Sequence, residues 1–336
     1  MRIAYLDCFS GISGDMFVGA LLDAGVPFEL FEKTVAELNV GARLERSRVD
    51  RAGIAATKLD VIVDGEKDMP REEFWEKQLS AASSQSPVGN RHPPSTRDQG
   101  PGARDEGASV ATAEHHHHPA RGLNEILKII AAASISERAK QTASEIFVAL
   151  GAAEAKVHNV GVEDVHFHEV GAADAIVDIV CAAVGAEALG VEQFVCSPLN
   201  VGGGTVACSH GVMPVPAPAT LELLKDAPIY FGEIQKELVT PTGAAIVKVL
   251  ATSFGPRPTM TTESIGYGAG SREFAGHPNV LRISIGESQF SQMESPQEIS
   301  VEQIAILEAN LDDLKPQIIG YIIDRAFAEG ALDAFT

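Results

Sequence analysis

Cysteine is scarce in this sequence, and its four cysteines, Cys8, Cys181, Cys196 and Cys208, never form a CxxC pair. A zinc ribbon or a thioredoxin-like motif needs that pair. Scattered thiols without a leader fit the reduced state of a cytosolic protein rather than a disulfide framework. Basic residues are also few. Twenty-six Lys and Arg face 46 Asp and Glu, for a formal net charge of −20. Nucleic acid and anionic lipid call for the opposite sign, which argues against both as general partners, whereas an acidic surface gathers cations or simply keeps the chain soluble. No apolar run reaches the roughly eighteen residues of a membrane span. The opening MRIAYLDCFS has no basic leader and reads as a first strand rather than a signal peptide. There is no GxSxG elbow for an ordinary serine hydrolase. No P-loop lysine follows SGISGD. GYGAGS, residues 266–271, places Ser271 where a dinucleotide fingerprint has its third glycine, and it precedes a strand instead of a helix.

What is present is a chain of 336 residues, 45% hydrophobic, long enough for roughly two domains. RIAYLD reads as a strand, CFSGISGD as a turn, and DMFVGALLDAG as a helix that Gly25 stops. Ser13 is placed to cap that helix, and Asp15 sits in its first turn, where negative charge suits the dipole. ARLERSRVDRAGIAATKLDVIVDG predicts two strands with a turn near Gly53. Residues 78–122 are rich in Ser, Pro, Gly, Arg and Asp and read as a disordered insertion, with His115, His116, His117 and His118 inside it. Beyond it come two helices. The second carries Ala139, Ala143, Ile146, Phe147 and Leu150 on one face, and Ser134 with Glu137 resembles a capping box at its start. Strands, glycine clusters and helices then alternate to about residue 287, with Thr240 as an N-cap and Pro241 at the first position of one helix. After a polar break, residues 300–336 read as strand, acidic loop, helix and the first residues of another strand. The fold class expected is α/β (α+β mixed): a mixed sheet with helices over residues 1–77 and 123–287, then the truncated start of a small C-terminal domain at 300–336.

The densest chemistry lies in EDVHFHEVGAADAIVDIV, residues 163–180. On a strand, His166 and His168 share a face, and Glu169 follows them. On a helix, Asp174 and Asp178 share a face at i, i+4. Two imidazoles plus carboxylates suit Zn, Ni, Mn or Fe, and the ligand set alone does not choose among them. The competing reading is a pair of surface histidines beside an acidic helix start. The run His115–His118 can hold a divalent ion loosely, or it is low-complexity drift. Three glycine-rich turns are candidate phosphate cradles: Ser10, Gly11, Ser13, Gly14 and Asp15; Gly202, Gly203 and Gly204; and Thr240, Thr242 and Gly243. Cys208 near His210 offers a soft ligand or is simply a buried thiol.

Six blocks in one order, YLDCFSGISGDMFVGALLDAG, VHFHEVGAADAIVDIV, SPLNVGGGTV, HGVMPVPAPATLELLK, ELVTPTGAAI and EANLDDLKPQIIGY, closely resemble the LarC family of nickel-insertion proteins. The resemblance implies nickel chelatase chemistry: Ni(II) as the substrate metal enters pyridinium-3,5-bisthiocarboxylic acid mononucleotide, yielding the nickel-pincer cofactor of a downstream lactate racemase-type enzyme. It also implies CTP hydrolysis assisted by Mn(II) or Mg(II), with CTP bound by the C-terminal region and nickel met by a His-rich N-terminal region. Self-association is compatible with it. Read from residue chemistry, since the resemblance does not assign roles, His166, His168 and Glu169 handle the metal and Asp174 and Asp178 are ligands or orient them. The glycine turns hold the nucleotide phosphate, and Asp7 or Glu169 is the base. Two other classes stay open: a non-enzymatic nickel carrier and a metal-dependent phosphohydrolase. The short His tract and a C-terminal region that stops early are departures from the family pattern, and they bear on CTP use by this chain.

Overall fold

The four inner residues of RIAYLD are all buried, and the segment forms β1 (Arg2–Asp7), an inner strand of the main sheet. The computed structural model describes residues 1–63, 65–67, 121–167, 173–208, 211–288, 308 and 315–335, with the side chains of Glu66 and His166 outside that description. Residues 1–292 form one compact unit and residues 293–336 a second. In the first unit seven further strands join β1. They are β2 (Ala42–Arg51), β3 (Ile54–Val63), β4 (Glu66–Lys67), β5 (Gln193–Cys196), β6 (Ala251–Phe254), β7 (Met260–Ala269) and β8 (Val280–Ser288). Their order is β6-β5-β1-β8-β7-β3-β2, with β4 paired to β3. β1 is parallel to β5 and antiparallel to β8, so the sheet is mixed and the α/β class expected from the sequence is what is found.

The described helices of this unit are α1 (Gly14–Asp23), α2 (Phe28–Leu38), α3 (Leu123–Ala132), α4 (Glu137–His158), α5 (Ala173–Ala188), α6 (Pro218–Leu223) and α7 (Pro241–Leu250). α1 packs directly on β7 and β3, and α5 packs behind α1. The glycines of GYGAGS explain that closeness. A Cβ on Gly268 would stand 1.8 Å from the Met16 carbonyl oxygen, and one on Gly266 would stand 2.1 Å from that of Ala20. Those positions are bare because a helix backbone lies on them, not because a nucleotide does. Phe17, Phe31 and Phe147 are fully buried between the layers, each contributing about 2–3 kcal/mol by removal from water. α5 is buried at twelve of its sixteen positions, and Asp174 and Asp178 are two of the four exceptions.

Three local expectations are corrected. The N-cap of α4 is Ser136, whose hydroxyl accepts from the Ala139 N–H at 3.0 Å, so the capping pair Ser134 with Glu137 does not form. Both serines precede an acid in a plausible frame, and only the position at which the backbone turns helical decides between them. The insertion assigned to residues 78–122 ends earlier, because Arg121–Gly122 pairs as a short strand with His166–Phe167. In the second unit, α8 (Pro316–Ala328) is present as expected, but residues 331–335 form no strand. The rest of that insertion and the strand expected near residue 301 lie outside the described residues. Among the described residues no helix is long and apolar enough to cross a membrane.

Candidate functional site

The loop leaving β1 is stitched to the segment that enters α7. Ile12 N–H donates to the Leu238 carbonyl at 3.0 Å, and Thr240 N–H donates to the Ile12 carbonyl at 3.1 Å. Gly243 lets the two backbones touch, since a Cβ there would lie 2.2 Å from the Ile12 oxygen. Thr240 caps α7 as its sequence predicts, accepting from the Gly243 N–H at 3.1 Å. Gly14 does the same service toward α5: its missing side chain leaves room for the Asp178 carboxylate, whose Oδ2 would be 2.4 Å from a Cβ at that position. The first turns of α1, α5 and α7 therefore converge on one cavity of about 310 Å³. This volume lies at the small end of ligand sites. Helix N-termini of this length present partial positive charge and N–H groups to whatever the cavity holds.

The floor of the cavity is built around Lys58, which is only 6% exposed. Its ammonium donates to Asp15 Oδ2 at 2.6 Å and to the Leu59 carbonyl at 2.9 Å, and it lies 3.2 Å from Asp60 Oδ1. Three N–H donors thus meet three acceptors. Asp15 is equally engaged: its other oxygen accepts from the Ser13 hydroxyl and from the Met16 N–H. Burial opposes the charge on Asp15, yet the Lys58 charge and these hydrogen bonds hold its carboxyl below the usual range. Burial likewise works against the Lys58 ammonium, but Asp15 and Asp60 outweigh it and raise its pKa. Asp60 also pairs with Lys67 at 2.8 Å.

These shifts set a pH window. A depressed Asp15 adds stability above the unfolded carboxylate value of about 3.9, and that contribution is lost as pH falls through its folded value. A raised Lys58 adds stability below about 10.4, lost as pH rises through its folded value. Thermal midpoints measured from pH 2 to 11 should be flat between and fall at both ends. Asp15→Asn should lower the plateau and flatten the acid limb; an acid limb identical to wild type would show that another carboxylate governs it.

The structure brings together some of the predicted residues and separates others. Ser13, Gly14, Asp15, Asp174, Asp178, Thr240 and Thr242 line the cavity. Asp7 does not: it stands opposite Arg282 in the β1–β8 register, and the Arg282 guanidinium donates to it, Nε at 3.1 Å. Ser10 is buried beside the cavity, with its hydroxyl 3.0 Å from His277 Nε2. Gly11 packs against Leu238, while Gly202 and Gly203 pack against Lys236 and Gln235. At Gly202 a left-handed φ of 79° and a Cβ position 1.9 Å from the Lys236 oxygen both require glycine. The Gly202–Gly204 turn therefore holds a chain crossing and does not line the cavity. Cys208 is half-buried and lines the cavity rather than the core. By contrast, hydrogen bonding with Cys196 and burial push the Cys8 thiol well up, and burial does the same to Cys181. The side chains of His166, His168, Glu169, His210 and His115–His118 lie outside the described residues. Among the described residues, no three His, Cys, Asp or Glu side chains are gathered as a ready metal site.

Sequence reasoning missed Lys58, Asp60, Glu154, His158, Arg272 and Asn279, all of which line the cavity. One signal was available. In AATKLDVIV a lysine and an aspartate two residues apart interrupt an otherwise apolar strand, and a charged pair on one face of a buried strand demands partners.

A family model described as Nickel insertion protein matches residues 4–336. A protein of Geobacillus kaustophilus named pyridinium-3,5-bisthiocarboxylic acid mononucleotide nickel insertion protein is 42% identical over 340 residues, covering 100% of this chain and 72% of that one. One of the same name from Acetivibrio thermocellus is 40% identical over 340 residues, covering 100% and 71%. A putative nickel insertion protein of a Cyanothece species is 41% identical over 343 residues, covering 100% and 72%. No solved structure matches the chain significantly.

Proposed function

Since the chain belongs to the nickel insertion protein family, we propose that it inserts Ni(II) into pyridinium-3,5-bisthiocarboxylic acid mononucleotide, and that the cavity at the first turns of α1, α5 and α7 is where the two meet. The observation that carries this reading is the composition of that cavity. Asp174 and Asp178, one turn apart on a mostly buried helix, face the same space as the N-termini of α1 and α7. Carboxylates suit a hydrated cation, and helix N-termini suit a phosphate.

The chemical task is to strip water from the cation, hold the nucleotide, and remove a proton from the ring carbon that bonds to nickel. Asp174 and Asp178 hold the incoming cation, and His166, His168 and Glu169 complete its ligands. Phe167, between the two histidines in sequence, lines the cavity. Thr240 and Thr242 at the start of α7 hold the phosphate. Glu169 takes the proton; Asp7, engaged by Arg282, is not needed for it. His115–His118 gather nickel ahead of the cavity. The product serves a nickel-pincer enzyme downstream, and the setting is the cytosol, which fits cysteines held as thiols rather than disulfides.

CTP with Mn(II) or Mg(II) belongs to the same reading. Among the described residues of the second unit, Lys315 precedes α8 and Arg325 is paired with Glu329, which does not enclose a nucleotide. No step here is routed through CTP.

Asp174→Asn/Asp178→Asn and His166→Ala/His168→Ala are each expected to weaken Ni(II) binding about 10–100-fold by calorimetry, with insertion reduced to match. Unchanged affinity and stoichiometry in both would remove the cavity from the reaction. Nickel bound normally by the wild type, with no pincer product from precursor and CTP, would identify a carrier instead.

A further inference from the structure

The two ligands of this cavity carry opposite charge, and its charged side chains match only one of them. Among the described residues its lining holds six carboxylates: Asp15, Asp60, Glu154, Asp174, Asp178 and Glu237. Against them, among the described residues, stand one ammonium and one guanidinium, Lys58 and Arg272, and the His158 imidazole, 3.5 Å from Glu154. Lys58 is not available to an incoming anion, because its donors are taken by Asp15, Leu59 and Asp60. Arg272 turns one amino group to the Glu237 carbonyl at 3.2 Å. The mononucleotide named for the relatives has a phosphate and two acidic thiocarboxyl groups against a single pyridinium charge, so it is an anion. An anion entering a partly enclosed, net-negative space meets like charges through a medium that screens far less than water.

We propose that the cavity takes its ligands in a fixed order, the divalent cation first and the anionic mononucleotide second, with the bound cation supplying the attraction that the side chains lack. The proposal rests on the reading above and adds its sequence of events. The free cavity attracts the cation. Once neutralised in part, it lets the N-termini of α1 and α7 act on the phosphate without the opposing carboxylate field. Linkage makes the effect mutual: whatever factor nickel adds to nucleotide affinity, the nucleotide adds to nickel affinity. The order also protects the chemistry, since a thiocarboxylate that arrives last finds its metal already freed of part of its water.

The test uses nicotinic acid mononucleotide, a pyridinium mononucleotide without sulfur, so that metal capture by thiocarboxylate in solution does not contribute. Its binding to the full chain is measured by calorimetry with and without saturating Ni(II). The expected result is at least about tenfold tighter binding with nickel, a factor within the usual range of coupling between sites, and one that shrinks in high salt. In Asp174→Asn/Asp178→Asn the metal-free affinity should rise and the coupling factor should fall toward one; Glu154→Gln is the smaller change, expected to act in the same direction, if the double variant does not fold. Equal affinity of metal-free and nickel-loaded wild type would overturn the order. If insertion were still lost in the aspartate variant, the site would stand without the order. Full insertion by that variant would remove both.

Discussion

Lys58→Met is expected to destabilise the first unit by about 3 kcal/mol, the lower end of the cost of breaking a buried ion pair. The substitution keeps most of the length of the side chain and removes the ammonium, with its charge and its donors. Asp15 and Asp60, 20% and 12% exposed, would then face each other without the ammonium between them. The lower end applies because each retains a partner: Asp15 keeps Ser13 and the Met16 N–H, and Asp60 keeps Lys67. Urea unfolding should show a lower midpoint with an unchanged slope, and the thermal midpoint should fall by about 5–10 °C. A change under about 1 kcal/mol would mean that the three groups do not depend on one another as their geometry demands. Because the same cluster forms the cavity floor, nickel affinity should also change, upward if the released carboxylates reach the metal and downward if they collapse away from it.

Gly14→Ala is expected to lower nickel insertion about 100-fold, the scale on which a displacement near 1 Å acts on a positioned group. The added Cβ would stand 2.4 Å from Asp178 Oδ2, 2.7 Å from its Cβ and 2.8 Å from its Cγ. The whole carboxylate must therefore move, not merely its tip. Asp178 is rooted in α5, which is buried at twelve of its sixteen positions, so the strain falls on the side chain itself and on the start of α1. A stability loss of about 1–3 kcal/mol should accompany it, as for other overpacked sites. Circular dichroism would confirm the fold, and calorimetry would report the metal. Retention of more than half of the wild-type insertion rate would show that Asp178 does not work from its observed position.

Much of the local structure was legible because it depends on near neighbours. Thr240 followed by Pro241 marks the start of α7, Ser13 and Asp15 mark that of α1, and the i, i+4 spacing of Asp174 and Asp178 puts them on one face. The Gly202–Gly204 turn shows the opposite case. Its composition suits a phosphate cradle and a tight backbone crossing equally well, and only the Lys236 carbonyl oxygen, which a Cβ at Gly202 would meet at 1.9 Å, selects the crossing.

By itself, then, the sequence determined the mixed α/β class, the helix starts, the paired aspartates and the family, since all of these are written in periodicity, capping and ordered blocks. Tertiary structure alone decided which charged groups share the cavity. Asp7 left it because the antiparallel register of β1 and β8 places Arg282 opposite. Lys58 and Arg272 entered it because β3 lies beside β7, pairing Thr57 with Gly268, across some two hundred residues of chain. Charge–charge energy falls with distance in space and is blind to distance along the chain, so no local pattern could have announced those partners.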